Sequence, residues 1–199
     1  MPAATATIET GKSQRIVEAM RRSVAQRGMA GSTFDHVARE AGVSRGLLHY
    51  YFGTKEQLLI EAVRHDCELR MQLLQAQLAD ARTAEDFTGL LAQQLERTVR
   101  EDPDFVTLMF EVFTISRRNP DIAAEYVQLM RRTRDQVADM LSCAQRDGVI
   151  TLGADPDTVA ELLFVLADGF ALRMLTEPDR DFEVALAAGM GCVRTLIGD

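Results

Sequence analysis

Arg45, His49, Tyr50, Tyr51 and Lys55 crowd into one short stretch, SRGLLHYYFGTK at 44–55. The set suits recognition rather than bond-making. Arginine offers a rigid fork that matches guanine O6 and N7, lysine offers a point charge for phosphate, and tyrosine and histidine can bond phosphates or base edges. Leu47 adds an apolar tip able to touch a thymine methyl. Other chemistries fit less well. His36, His49 and His65 lack the i, i+3 or i+4 carboxylate and imidazole partners of a metal site. Ser44, Ser116 and Ser142 lack the GxSxG context of a nucleophile. Cys67, Cys143 and Cys192 form no CxxC pair, which argues against a zinc site or a disulfide framework and suits a reducing cytoplasm. No catalytic residue, metal or cofactor is expected.

To present such side chains, the stretch must be a helix with one inward edge. Leu48 and Phe52 lie four apart and supply that edge. Ser44 is placed to cap the helix, leaving N-terminal N–H groups available to a phosphate. The preceding segment, 33–41, reads as a second short helix ending at Gly42. The two form a helix-turn-helix over 33–52, whose second helix enters the DNA major groove.

The rest of the chain carries the same helical period with almost no strand signal, so the fold is all-α. Asp102-Pro103, Asn119-Pro120 and Asp155-Pro156 each place a capping side chain before a proline at the first helical position. Thr54 to Gln57 has capping-box spacing, and Gly148 closes a long helix. The period and the caps predict about nine helices: 10–28, 33–41, 44–51, 54–80, 84–101, 103–118, 120–147, 156–175 and 181–197. No apolar run is long enough to span a bilayer, and the first residues do not read as a signal peptide.

Net charge first points away from nucleic acid. The 199 residues carry a balance of −8. Residues 1–64, however, hold nine Lys or Arg against six Asp or Glu, while the remainder holds thirteen against twenty-four. The sequence thus predicts a small basic module on a larger acidic body. On this reading 1–53 is the DNA-binding domain and 54–199 a larger acidic body, to which the family resemblance given below assigns effector binding and dimerisation.

The run from Thr33 to Leu58, with Ala41-Gly42-Val43-Ser44, Gly46, Tyr51-Phe52 and Lys55 in register, resembles the DNA-binding signature of the TetR family of bacterial transcriptional regulators. His49 stands where that family usually carries tyrosine, so the contact there stays open between phosphate and base. The resemblance covers the first third of the chain. It implies contacts to double-stranded DNA from Thr33, Ser44, Arg45, Gly46, Leu47, His49, Tyr50, Tyr51 and Lys55. RNPDIAAEY at 118–126, the Asp147-Gly148 turn and ADGFALRML at 167–175 are similar to C-terminal domains of the choline–betaine repressor type. The resemblance implies a cytoplasmic repressor released from a palindromic operator when a small molecule in the body tilts the fourth helix. A helical enzyme, or a DNA-binding activator or architectural protein without an effector, remains the alternative.

Within the body, Phe87, Phe105, Met109, Phe113, Tyr126, Met130 and Phe164 are candidates to line an effector cavity, since aromatic and methionine side chains fill cores and pockets alike. Asp168 interrupts the most apolar run and is a candidate anionic handle or interface group. The last two helices, 156–197, present Leu162, Leu166, Gly169 and Arg173, then Phe182, Leu186, Gly189, Met190, Val193 and Leu196, with Ala185, Ala188 and Gly191 allowing close approach. This apolar pair predicts a two-fold homodimer.

Overall fold

The computed structural model describes residues 3–198, with side chains described for 11–198. The described residues form nine α-helices and one π-helical turn, with no strand among them. They are α1 (Ala3–Gly31), α2 (Phe34–Ala41), α3 (Arg45–Phe52), α4 (Lys55–Leu78), α5 (Ala84–Glu96), α6 (Pro103–Ser116), α7 (Pro120–Arg146), α8 (Pro156–Thr176) and α9 (Glu183–Ile197). The π turn, Arg97–Glu101, follows α5.

The helix ends follow from side chains close in sequence. Asn119 accepts from the N–H groups of Asp121 and Ile122, Asp102 from Phe105, and Asp155 from Thr158. Gly42 and Gly148 adopt positive φ, which lets Val43 donate to Ala38 and Val149 to Ala144, the closing bonds of two helices. A full capping box at Thr83 and Asp86 starts α5.

Two features depart from the helical period. The first helix begins at Ala3, not near 10, and breaks at Gly28, where φ is 66° and ψ 172°. Only glycine visits that region readily. Ser32 donates to the Gly28 carbonyl, and Ser23 donates to Ser32 in a buried bond, so the break is held from within. Second, α5 ends in a π turn in which the Asp102 N–H reaches back to the Arg97 carbonyl, five residues away.

The chain divides into two compact units. One holds the chain up to Asp66 together with Thr107–Gln128. In it α1 packs on α2 and α2 on α3, burying Ile16, Met20, Val24, Phe34, Val37 and Leu48. Arg21 pairs with Asp66 at 2.8 Å and Arg64 with Glu125 at 2.9 Å. The other unit holds Cys67–Val106 and the chain from Leu129 on. Its core gathers Leu74, Leu78, Phe87, Leu141, Val159, Val193 and Ile197. There Arg70 of α4 bonds Thr98 in the π turn, pairs with Asp102, and lies 4.1 Å over the Phe105 ring.

Candidate nucleic-acid interface

The first unit builds a helix-turn-helix from short-range rules. Thr33 has extended backbone and its hydroxyl accepts the His36 N–H at 3.3 Å, fixing the start of α2. Thr33 is therefore occupied as a cap. Gly42 stops α2, and Ser44 resumes extended backbone before α3. Ser44 sits at the cap position, but its side chain makes no capping hydrogen bond, contrary to the expectation from sequence. The turn is closed instead by backbone, with Leu47 donating to the Ser44 carbonyl at 3.0 Å. The exposed Ser44 hydroxyl is thus left for other partners.

Helix α3 has one buried side chain, Leu48. Arg45, Gly46, His49, Tyr50 and Tyr51 are exposed, and Leu47 is half-buried. Tyr50 is 82% exposed, and its ring meets Tyr51 edge-to-face at 5.2 Å. Large aromatic groups held exposed to water mark a binding surface. A side chain at Gly46 would meet nothing within 4 Å, so this position leaves room for close approach.

Arg45 is not a loose side chain. One Nη1 hydrogen bond pattern reaches both oxygens of Asp35, at 3.1 and 3.3 Å, and its Nε donates to His49 Nε2 at 3.3 Å. Because Nε2 accepts, the His49 proton must sit on Nδ1, which then donates to the Gly53 carbonyl at 3.3 Å. The His49 ring also stands edge-on to Phe34 at 4.7 Å. Asp35 of α2 was absent from the sequence reading. Nothing local announces it, because the contact depends on the angle between two helices.

Lys55 is also engaged. Its Nζ donates to the Met29 carbonyl at 3.1 Å, and the Met29 N–H reaches Glu111 at 3.4 Å. The residue expected to meet phosphate thus ties the start of α4 to the break after Gly28. Two of its three N–H bonds remain available to another acceptor.

The effector candidates are not gathered in one unit. Met109, Phe113 and Tyr126 belong to the first, and Phe87, Phe105, Met130, Phe164 and Asp168 to the second. Phe87, at 2% exposure, is a core residue, and Phe105 is buried beneath Arg70. Asp168, set in the apolar run of α8, is exposed. Crowding by protein atoms, then the charge of Glu161, raise its pKa. The expected interface face also changes. Val193 and Phe182 are buried, while Met190 and Leu196 pack on the body's own core, so these residues are not presented outward. Phe170 fills the space beside Gly189. The outward apolar groups are Leu162, Val165, Leu172 and Leu175 on α8 and Val184 on α9.

This exposed, arginine-bearing second helix of a helix-turn-helix, on an all-helical chain, defines a DNA-binding regulator. Residues 16–62 match the family model for bacterial regulatory proteins of the tetR family, and 83–198 match that for the C-terminal part of the BetI-type transcriptional repressor. The chain belongs to the TetR family and is a DNA-binding transcriptional regulator. It is 28% identical to the HTH-type transcriptional regulator PksA of Bacillus subtilis over 84% of this chain and 80% of that protein. It is likewise 28% identical to the regulator BetI of Rhizobium meliloti over 83% of this chain and 79% of that one. Among solved structures, a putative transcriptional regulator from Saccharomonospora viridis in complex with choline superposes with a TM-score of 0.70 at 26% identity, over 93% of this chain and 94% of that one. The matched families consist of regulators rather than enzymes. No helix among the described residues is long and apolar enough to cross a membrane.

Proposed function

We propose that the chain is a cytoplasmic repressor that binds a palindromic operator as a homodimer and is released by a small molecule. Residues 1–53 act as the DNA-binding domain and 54–199 as the body that binds effector and dimerises. The observation that carries the DNA role is the outward surface of α3, with Arg45 and Tyr50 exposed side by side with Tyr51. Arg45 and Leu47 read base edges, Ser44, Tyr50, Tyr51 and Lys55 bind phosphate, and His49 steadies Arg45. Thr33 serves the interface by capping α2, and Gly46 by leaving α3 free to approach the groove.

Dimerisation uses the outward face of α8 and α9. Leu162, Val165 and Leu172 line it, with Gly169 and Ala188 allowing close approach and Asp168 at its middle. A two-fold arrangement sets half-sites one helical turn apart, roughly 34–36 Å. The effector is hydrophobic or weakly cationic. The choline bound by the Saccharomonospora protein supports the cationic choice, and Phe113 and Tyr126 are the aromatic groups suited to it. Ligand and DNA oppose each other because each favours a different spacing of the two recognition helices.

Selection of duplexes from a random pool by the purified chain tests the reading. A two-fold symmetric site, bound more weakly as salt rises, is the expected result. Choline chloride added to that complex is the first effector probe. Recovery of an asymmetric or random pool overturns the operator assignment, and salt-independent binding overturns the phosphate contacts.

A further inference from the structure

The contact between Asp35 and Arg45 carries a consequence for base choice. Both side chains are well exposed, at 59% for Arg45 and 60% for Asp35. An ion pair so open to water adds little to stability. Its effect is on direction. Asp35 takes Nη1 of the guanidinium and His49 takes Nε, which leaves both N–H groups of Nη2. Nη2 lies at the tip of the side chain, where its N–H groups can meet guanine O6 or N7 end-on.

We propose that Asp35, on α2 rather than on the recognition helix, is a specificity-determining positioning residue that holds Arg45 in this end-on attitude. The proposal rests on the base-reading role given to Arg45 above. A carboxylate 3.1 Å from Arg45 goes wherever Arg45 goes, so it also meets DNA. There it repels phosphate and lowers attraction for every sequence alike. An arginine freed from it can turn to the nearest phosphate, a contact that carries no sequence information. Asp35 therefore trades general affinity for discrimination.

Asp35 lies in the first turn of α2, where any acidic side chain favours the helix. That structural role predicts a lower melting temperature and an equal loss on all duplexes. The positioning role predicts something else. With the full chain, duplexes from the selected site are varied at the base pair whose preference Arg45→Ala abolishes. The wild type should discriminate there by roughly 5- to 150-fold. Asp35→Ala should retain less than about threefold and bind the mismatched duplexes at least as tightly as the wild type. Asp35→Asn keeps an acceptor but loses the charge, and should fall between the two. It also carries the test alone should the alanine variant fold poorly. Wild-type discrimination in Asp35→Ala, or an equal loss on matched and mismatched duplexes, overturns the proposal while leaving Arg45 as a base reader. If Arg45→Ala flattens no position, both the base-reading role and the proposal fall.

Discussion

The outward faces of α3 and α8 are both left uncovered within the single chain, yet they are built from opposite materials. On α3 the exposed groups are aromatic rings and an arginine already oriented by Asp35 and His49. On α8 they are mainly aliphatic, Leu162, Val165, Leu172 and Leu175 around the carboxylate of Asp168, with Val165 57% exposed. Exposure alone therefore does not identify a partner. A face of donors and rings is prepared for a charged, hydrated polymer, whereas an aliphatic face gains only when another apolar surface covers it. The two faces also differ in how a single change should propagate.

The largest effect is expected where an aliphatic face would be forced to bury a charge. Val165→Asp places an unpaired carboxylate on the α8 face, which costs about 3–5 kcal/mol if that face is covered. The dimer dissociation constant should then rise by roughly 100-fold or more. Sedimentation at micromolar concentration should show monomer, and binding to the two-fold site should fail with it. Tyr50→Ala should do the reverse, weakening DNA binding in a dimer that sediments as the wild type does. A dimeric Val165→Asp protein would show that the α8 face is not the contact.

Arg45→Ala comes next. It should cost roughly 1–3 kcal/mol at one preferred G·C pair and leave other positions of the site unchanged. Competition between duplexes differing at single base pairs measures this directly. A uniform loss at all positions would move Arg45 from base reading to phosphate contact.

These predictions rest on contacts of very different visibility in the sequence. The helix ends were legible because their causes are local: an Asn or Asp, then a proline, within one turn. The face of α3 was legible for the same reason, since a single inward residue, Leu48, settles which positions are turned out. The partners of that face were not. Asp35 reaches Arg45 from ten positions away and Lys55 reaches Met29 across 26, and both depend on how separate helices cross. The end of the first regular helix at residue 28 was legible and falls on the break at Gly28, whereas its start at Ala3 and the helical stretch that resumes to Gly31 were not. The π turn was missed because it keeps the helical period almost intact. On α9, periodicity revealed an apolar helix but did not say which edge its own core takes. Val193 and Ile197 went inward, and the outward apolar groups are Val184 and those of α8.

Lys55→Ala refines the α3 side of the comparison. Its ammonium already bonds the Met29 carbonyl, so the change can act through structure, through phosphate, or through both. We expect affinity to fall equally for all sequences and the salt slope to drop by about one unit, since a phosphate contact is lost. An unchanged slope with a lower melting temperature would confine Lys55 to holding the Gly28 break in place.

The smallest effect, and the most direct probe of the α8 side, is the pH dependence of Asp168. Crowding and the nearby Glu161 charge hold its carboxyl above the usual carboxylate value in the folded chain. A raised carboxyl binds its proton more tightly folded than unfolded. Its contribution to stability is therefore complete below the unfolded value and disappears as pH rises through the folded value. At neutral pH the ionised group is a net cost that Asp168→Asn removes. The variant should melt slightly above the wild type at pH 7. Surface changes stay within about 0.5 kcal/mol, which for a chain of this length is roughly 1–2 °C. The gap should close as pH falls through the carboxylate range, where both side chains are neutral. Asp86 and Asp155 behave oppositely. Asp86 is lowered by hydrogen bonds from Arg82 and Thr83, and Asp155 by those from Thr158, so their stabilisation is lost as pH falls through the folded values. That acid sensitivity is common to both proteins and cancels in the difference. If α8 is the dimer face, Asp168→Asn should also tighten the dimer at pH 7, because covering an amide costs less than covering a carboxylate. A variant that melts lower at neutral pH, or whose advantage persists unchanged into acid, would place the balance of Asp168 elsewhere.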